Sequence, residues 1–355
     1  MKPGAGAFDG RGDGTYSDSM TRVSRRHLVG AAGFSTLSLG ALAVGAGVPI
    51  LGCASERREA DGTVGSLVTV GGPVQERTVR TRVDAQPTTD GAGVRLSRVI
   101  GGAALGMLDP FLLLDEFHTE KADDYIAGFP SHPHRGFETV TYMIDGAMEH
   151  RDSLGNHGHL GPGSAQWMTA GHGIVHSEMP QQESGRMWGF QLWVNLPAAQ
   201  KMVAPRYQDI RPGLIAETEV DDAHVRLVAG QIGGASGRDV TGPVSGIVTA
   251  PTLADVTLRA SGTVRHTLPA GHSAFVYVIE GSTRIAGTEV KRGQLAVLTP
   301  GERVTIKSDS GGRALLVAAA PIGEPVSRYG PFVMNTDEEI RQAMADYRSG
   351  RLTQI

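Results

Sequence analysis

From about residue 75 onward the chain keeps one rhythm. Short stretches of apolar or alternating residues are broken by Gly, Pro, Asn and Asp, and runs with helical period are scarce. Alternation at two residues places one face of a strand in a core and the other outward, so this rhythm predicts a β-sandwich or barrel. Strands are expected at 94–100, 111–117, 137–144, 164–168, 174–178 and 187–194. A second series follows Pro212, at 225–229, 254–260, 274–279, 295–299 and 314–319, so two all-β units of about a hundred residues each account for the spacing. One helix stands out, near the carboxyl end. Asn335 or Thr336 can cap it, Glu338 and Glu339 fall in its first turn, Ile340, Met344 and Tyr347 form one stripe, and Gly350 marks its stop. The two series share a pattern of a Pro-Gly turn before a strand, as in Pro162-Gly163-Ser164 and Pro269-Ala270-Gly271, which suggests an internal duplication.

The amino end has a different texture. Arg25 and Arg26 directly precede an uncharged stretch rich in Ala, Gly, Leu and Val, the arrangement of a signal for the twin-arginine export route. Its glycines weaken any helix that would have to stay in a bilayer. Cys53, the single cysteine, follows Ile50-Leu51-Gly52 in what resembles a bacterial lipoprotein cleavage box. The expectation is export, to the periplasm or to a membrane-anchored state with lipid on Cys53. Translation can start at Met1 or at Met20. Five basic and three acidic residues precede Cys53, so a chain beginning there carries 28 basic and 34 acidic residues, a slightly stronger acidic excess than the −4 of the whole.

That balance excludes a nucleic-acid footprint, since no Lys/Arg stripe is available to neutralise a row of phosphates. One cysteine also excludes an internal disulfide framework and a cysteine-based metal cluster. Dinucleotide-binding, phosphate-loop and HExxH signatures are absent, as is a serine nucleophile elbow. Phe129, Phe137, Trp167, Phe190 and Trp193 alternate with polar residues on expected strands, as core aromatics do.

The candidate chemistry lies with histidine. Seven of the twelve fall within 45 residues, among them His132, His134, His157, His159, His172 and His176. His132 and His134 are two apart, as are His176 and Glu178, so on strands each pair points to one side. Two such strands present three imidazole nitrogens and one carboxylate to a common centre. This set, of charge −1, suits Fe(II), Mn(II), Ni(II), Cu(II) or Zn(II), and an octahedral ion would keep two positions open. The competing reading is of surface or satisfied core histidines. His157 and His159 sit in a glycine-dense stretch and read as loop residues at the mouth or on the surface. His172 could line the site or donate to a substrate without being a ligand. Asp115, Glu116, His118 and Glu120 read as the polar exit of a buried strand.

At these residues the chain resembles the pirin family, a two-barrel group within the cupin superfamily. The resemblance runs through 108–117 (LDPFLLLDEF), 128–146 (GFPSHPHRGFETVTYMIDG), His150-Arg151-Asp152-Ser153, 155–158 (GNHG), 162–180 (PGSAQWMTAGHGIVHSEMP) and 323–347. It implies two antiparallel cupin barrels and a short carboxyl-terminal helix, with iron in the first barrel held by His132, His134, His176 and Glu178. The implied division is 1–55 for extension and signal, 56–75 for a tether, 76–212 for the metal-binding cupin and 213–322 for a cupin without metal. Residues 323–355 would pack back on the first barrel, and the protein is expected to be a monomer. No HxH or HxE occurs between 220 and 320, in keeping with a metal-free second barrel.

Some pirin-like proteins open flavonols such as quercetin with dioxygen and release carbon monoxide, and others are nuclear co-regulators. An export signal fits the first role better. The resemblance therefore implies a dioxygenase with a small phenolic substrate and one divalent ion, Fe(II) first, with Glu178 or His172 taking the substrate's proton. The rival readings are a non-catalytic metal-binding sensor or interaction protein at the envelope, and a cupin that isomerises or hydrolyses small molecules.

Overall fold

A computed structural model describes residues 74–233, 237 and 239–354; the expected signal, Cys53 and most of the expected tether lie outside the described residues. The first half contributes β1 (Val79–Asp84), β2 (Gln86–Asp90), β3 (Val94–Ile100), β4 (Phe111–Thr119), β5 (Phe129–His134) and β6 (Phe137–Asp145). It continues with β7 (Met148–Asp152), β8 (His157–Leu160), β9 (Ala165–Thr169), β10 (Ile174–Pro180), β11 (Met187–Asn195) and β12 (Arg206–Ile210). The second half holds β13 (Ala216–Val220), β14 (Ala223–Ala229), β15 (Gln231–Gly233), β16 (Asp239–Thr241) and β17 (Thr252–Thr267). It ends with β18 (Ser273–Ile285), β19 (Thr288–Lys291), β20 (Gln294–Leu298) and β21 (Arg303–Ala319). A closing segment carries β22 (Ser327–Tyr329), β23 (Phe332–Met334) and helix α1 (Asp337–Arg348).

The first barrel joins a seven-stranded sheet, β12-β9-β6-β11-β4-β3-β2, to a four-stranded one, β5-β10-β7-β8. The second is built on the order β1-β20-β18-β21-β17-β14-β13 with β19 on β18. Six of the seven positions of the two long sheets are filled in the same chain order, in keeping with the expected duplication, while β12, last of the first half, is matched by β1, the first strand of all. The matched turns differ from those expected, however. Pro162-Gly163 leads into β9, whose counterpart is β20, not β18. Gly163 (φ +75°) donates to Met143 O and Gly293 (φ +77°) to Val278 O, both at 2.9 Å, so Gly293 is its equivalent. β1 also departs from the expected division. A boundary at 76 assigns it to the first barrel, yet it pairs with β20 of the second.

β6 explains why its sequence lacks a polar face: all of Phe137–Met143 is buried. Val140 and Tyr142 join the core shared with Phe275, Tyr277 and Leu315 of the second barrel, while Thr141 on the opposite face reaches Glu178. The same double burial corrects the reading of β4. Asp115 and Glu116 are not a polar exit but are buried within the strand. Arg98 forks onto Asp115 at 2.8 and 2.7 Å, and Arg292 of the second barrel forks onto Glu116 at 2.8 and 2.7 Å. A buried carboxylate of this kind persists only because cations and donors replace its water.

α1 opens with a reciprocal capping box: Glu339 N donates to Thr336 Oγ1 and Thr336 N to Glu339 Oε2. Its buried side is Ile340 and Ala343 with Met344 partly covered, whereas Tyr347 is 44% exposed. The closing segment packs on the first barrel. Phe332, Met334 and Leu352 meet Val175 of β10, and Arg135 pairs with Asp346 at 2.8 Å in the interior. Gly136 is required there, since a Cβ on it would lie 2.0 Å from Val333 O.

Candidate metal centre

Three neighbouring strands supply the site, each with two donors at alternate positions. β10 lies between β5 and β7, with His176 opposite His132 on one side and Asp152 on the other. The ladder with β5 shifts register between His176 and Glu178, which sets Glu178 against Phe129, while the regular ladder with β7 sets it against His150. Inward-facing alternation thus collects His132 and His134, His176 and Glu178, and His150 and Asp152 on one wall of the barrel. Sequence reading found the first two pairs. The third was missed, although His150 and Asp152 carry the same two-residue spacing in a motif already noted.

The ligating atoms of His132, His134 and His176 lie within 4.8 Å of one another. Glu178 belongs to an overlapping group with His176 and His150 that meets the same limit. His134, His176, His150 and Glu178 are buried and His132 is half-buried, so the cluster approaches solvent at His132. Burial lowers the affinity of His132, His134 and His176 for protons, and for the last two the neighbouring imidazoles add to it. All three are therefore neutral near pH 7.

The hydrogen-bond partners then fix where the protons sit. His132 Nδ1 is 2.7 Å from Pro130 O and His134 Nδ1 is 3.3 Å from Pro331 O. A carbonyl only accepts, so each Nδ1 carries the proton and each Nε2 a bare lone pair. These two Nε2 atoms are 3.1 Å apart with no proton to share. His176 Nε2 is buried without a hydrogen-bond partner. Convergent lone pairs that no protein donor satisfies fit a borderline divalent cation. Glu178 is held ready beside them: Thr141 Oγ1 and Gln166 Nε2 donate to Oε1 at 2.7 and 2.8 Å, and Gln191 Nε2 to Oε2 at 3.2 Å.

The remaining histidines fall elsewhere. His172 follows β9 in the Gly171–Gly173 turn, with its N–H on Val203 O and its own carbonyl accepting from Arg135 Nε. Its imidazole lies against the Leu352 backbone, outside both ligand groups. His157 and His159 are exposed, as expected, but on strand β8 and not in a loop. His157 pairs with Glu149 at 2.7 Å. Of the core aromatics, Phe137, Trp167 and Phe190 are buried. Two open concavities, about 550 and 330 Å³, are lined by residues such as Arg284 and Lys307 or His266 and Asp239; no member of the cluster lines either.

Comparison with known proteins agrees with this fold. A profile described as Pirin matches residues 93–194, and one described as the pirin C-terminal cupin domain matches 253–353. A Pseudomonas aeruginosa protein provisionally named a quercetin 2,3-dioxygenase is 50% identical over 270 residues, 75% of this chain and 94% of that protein. Human pirin is 40% identical over 271 residues, 74% of this chain and 89% of its own length. The crystal structure of a quercetin 2,3-dioxygenase from Acinetobacter baumannii superimposes with a TM-score of 0.71 at 30% identity, covering 78% of this chain and 98% of that one.

Proposed function

The chain belongs to the pirin family of two-barrel cupins, and on that premise we propose that it is a metal-dependent dioxygenase opening a flavonol-like ring. The observation that carries this reading is the convergence of the bare Nε2 lone pairs of His132 and His134 and the unpartnered Nε2 of His176 beside an anchored carboxylate. His132, His134, His176 and Glu178 would hold one divalent ion, Fe(II) first. Such an ion would polarise the substrate's enolic oxygen and supply the Lewis acidity that the side chains lack.

The protein's own part is positional and protonic. Glu178 Oε1 already takes two donors, whereas Oε2 takes one at 3.2 Å, so Oε2 is the atom able to accept the proton of the substrate's hydroxyl. Geometry favours Glu178 over His172 for this step, because His172 stands against the closing segment. In the net reaction the two carbon–carbon bonds of the carbon bearing the enolic hydroxyl break, that carbon leaves as carbon monoxide, and the two atoms of dioxygen end on the carbons that flanked it. The test is oxygen uptake and carbon monoxide release on quercetin by the iron-loaded chain, with Glu178→Ala inactive. Uptake that is absent across a panel of flavonols would overturn the proposal.

One observation favours a second reading, a metal-holding module without catalysis: His134, His176 and Glu178 are all buried. A loaded protein that binds no flavonol would support it. Export through the twin-arginine route, with lipid on Cys53, remains part of the proposal and is tested by Arg25→Lys with Arg26→Lys, which should abolish export.

A further inference from the structure

We propose that His150 and Asp152 are positioning residues that set the proton on His176, so that its Nε2 lone pair faces the cluster. The proposal rests on the reading of His176 as a ligand and adds what decides whether it can be one.

Asp152 anchors the outer end. Its Oδ1 accepts the backbone N–H groups of Leu154 and Asn156, each at 3.0 Å. Main-chain donors cannot reverse, so Oδ1 is fixed as an acceptor and the carboxylate cannot turn. Oδ2 takes Asn156 Nδ2 at 2.8 Å and lies 3.3 Å from His150 Nε2. His150 Nε2 therefore donates, and the Gln166 amide, oriented by its bond to Glu178 Oε1, turns Nε2 toward His150 Nδ1, which is thereby an acceptor and bare. Two donors face that bare nitrogen: Gln166 Nε2 at 3.3 Å and His176 Nδ1 at 3.4 Å. With its proton drawn to Nδ1, His176 leaves Nε2 free, the atom found buried and unpartnered.

The His150 ring cannot turn away from this arrangement. It is fully buried and stacks on Tyr207 with centroids 4.6 Å apart and planes 19° from parallel. Behind it, Gly158 leaves just enough room for Tyr207, whose Oη would lie 1.9 Å from a Cβ at that position. A carboxylate, the His150 imidazole and a ligand imidazole thus form one chain with a single polarity.

Asp152→Asn reverses that polarity with little change in size. The amide oxygen keeps the two backbone donors, which puts the NH₂ in the place of Oδ2, where it donates to His150 Nε2. His150 must then carry its proton on Nδ1 and His176 on Nε2. The experiment is ¹⁵N-histidine NMR of the metal-free full chain, with His176 and His150 assigned from His176→Gln and His150→Gln. It is joined to cobalt(II) titration followed in the visible spectrum. We expect the Nδ1–H form of His176 in wild type and the Nε2–H form in Asp152→Asn. We further expect a loss of cobalt affinity of about ten- to a hundredfold and unchanged thermal unfolding without metal. Should Asp152→Asn not fold, His150→Gln is read instead and should leave His176 in a mixture of both forms. Unchanged tautomers, or reversed ones with wild-type cobalt affinity and spectrum, would overturn the proposal. Failure of the ligand reading is seen separately, as a wild type that takes no cobalt, and the tautomers decide the proton chain even then.

Discussion

The Tyr142 hydroxyl of the first barrel donates to Asp255 of the second at 2.6 Å. The same bond runs in reverse, from Tyr277 of the second barrel to Glu116 of the first, also at 2.6 Å. The match is one of register. Phe190 of β11 faces both Tyr142 and Glu116, just as Leu315 of β21 faces both Tyr277 and Asp255. Each carboxylate has its arginine as well, Arg313 on Asp255 and Arg292 on Glu116. A tyrosine and an acid stand in equivalent rows of the two barrels, which exchange them across a core that includes Phe111 and Phe275, ring to ring at 5.1 Å.

Tyr142→Phe and Tyr277→Phe should therefore each destabilise the chain by about 2 kcal/mol, the value of a hydrogen bond to a buried charge. Urea unfolding of the two single variants and the double variant checks this. Cobalt binding should be unchanged in all three, because the tyrosines face away from the histidine cluster.

Acid sensitivity should have a component in the second barrel that owes nothing to metal. Burial lowers His266 from 6.5 to about 4, so the folded state keeps it neutral while the unfolded chain takes up a proton below about pH 6.5. Stability from this residue is complete above that pH and falls as pH drops toward 4, by on the order of 3 kcal/mol at most. Replacing it in His266→Gln should flatten the fall, measured as unfolding free energy between pH 7 and pH 4. An unchanged slope would show that other groups carry it.

Gly158→Ala should be harmful out of proportion to its size, because the new methyl group meets Tyr207 Oη. Tyr207→Phe alone removes a buried hydroxyl that has no partner and should be neutral or mildly stabilising. In the Tyr207→Phe background the cost of Gly158→Ala should shrink, a coupling that thermal unfolding of the four proteins will show.

Breaking the interior pair of Arg135 and Asp346 should cost more than any surface ion pair. Their side chains are 2% and 7% exposed, and Asp346→Asn leaves the guanidinium without its counter-charge. A loss of about 3 kcal/mol in urea unfolding is expected. Arg341→Ala, which breaks the exposed pair with Glu338 on the same helix, should stay within about 0.5 kcal/mol.

Much of this architecture was legible in the residues because its signals are local. Strands alternate at two residues, Thr336 and Glu339 announce a capping box, and HxH and HxE each put two donors on one side of one strand. What could not be read depends on partners far away in the chain. Glu116 looks like a surface residue until Tyr277 and Arg292 arrive from 161 and 176 positions later. β1 joins the second barrel through β20, which no local pattern records. The tautomer of His134 likewise depends on the carbonyl of Pro331, 197 residues on. His150 is a different case, since its spacing from Asp152 was in plain view and its meaning appears only when β7 lies beside β10.

Everything proposed for the first barrel depends on His132, His134, His176 and Glu178 holding one divalent ion. The decisive experiment is elemental analysis of protein purified anaerobically without an affinity metal, for wild type and for His134→Ala. About one iron, manganese, nickel, copper or zinc ion per chain in wild type, lost in the variant, is the predicted result. Wild-type protein that carries no such ion, takes up none when it is supplied and unfolds at the same temperature with and without it would contradict the assignment.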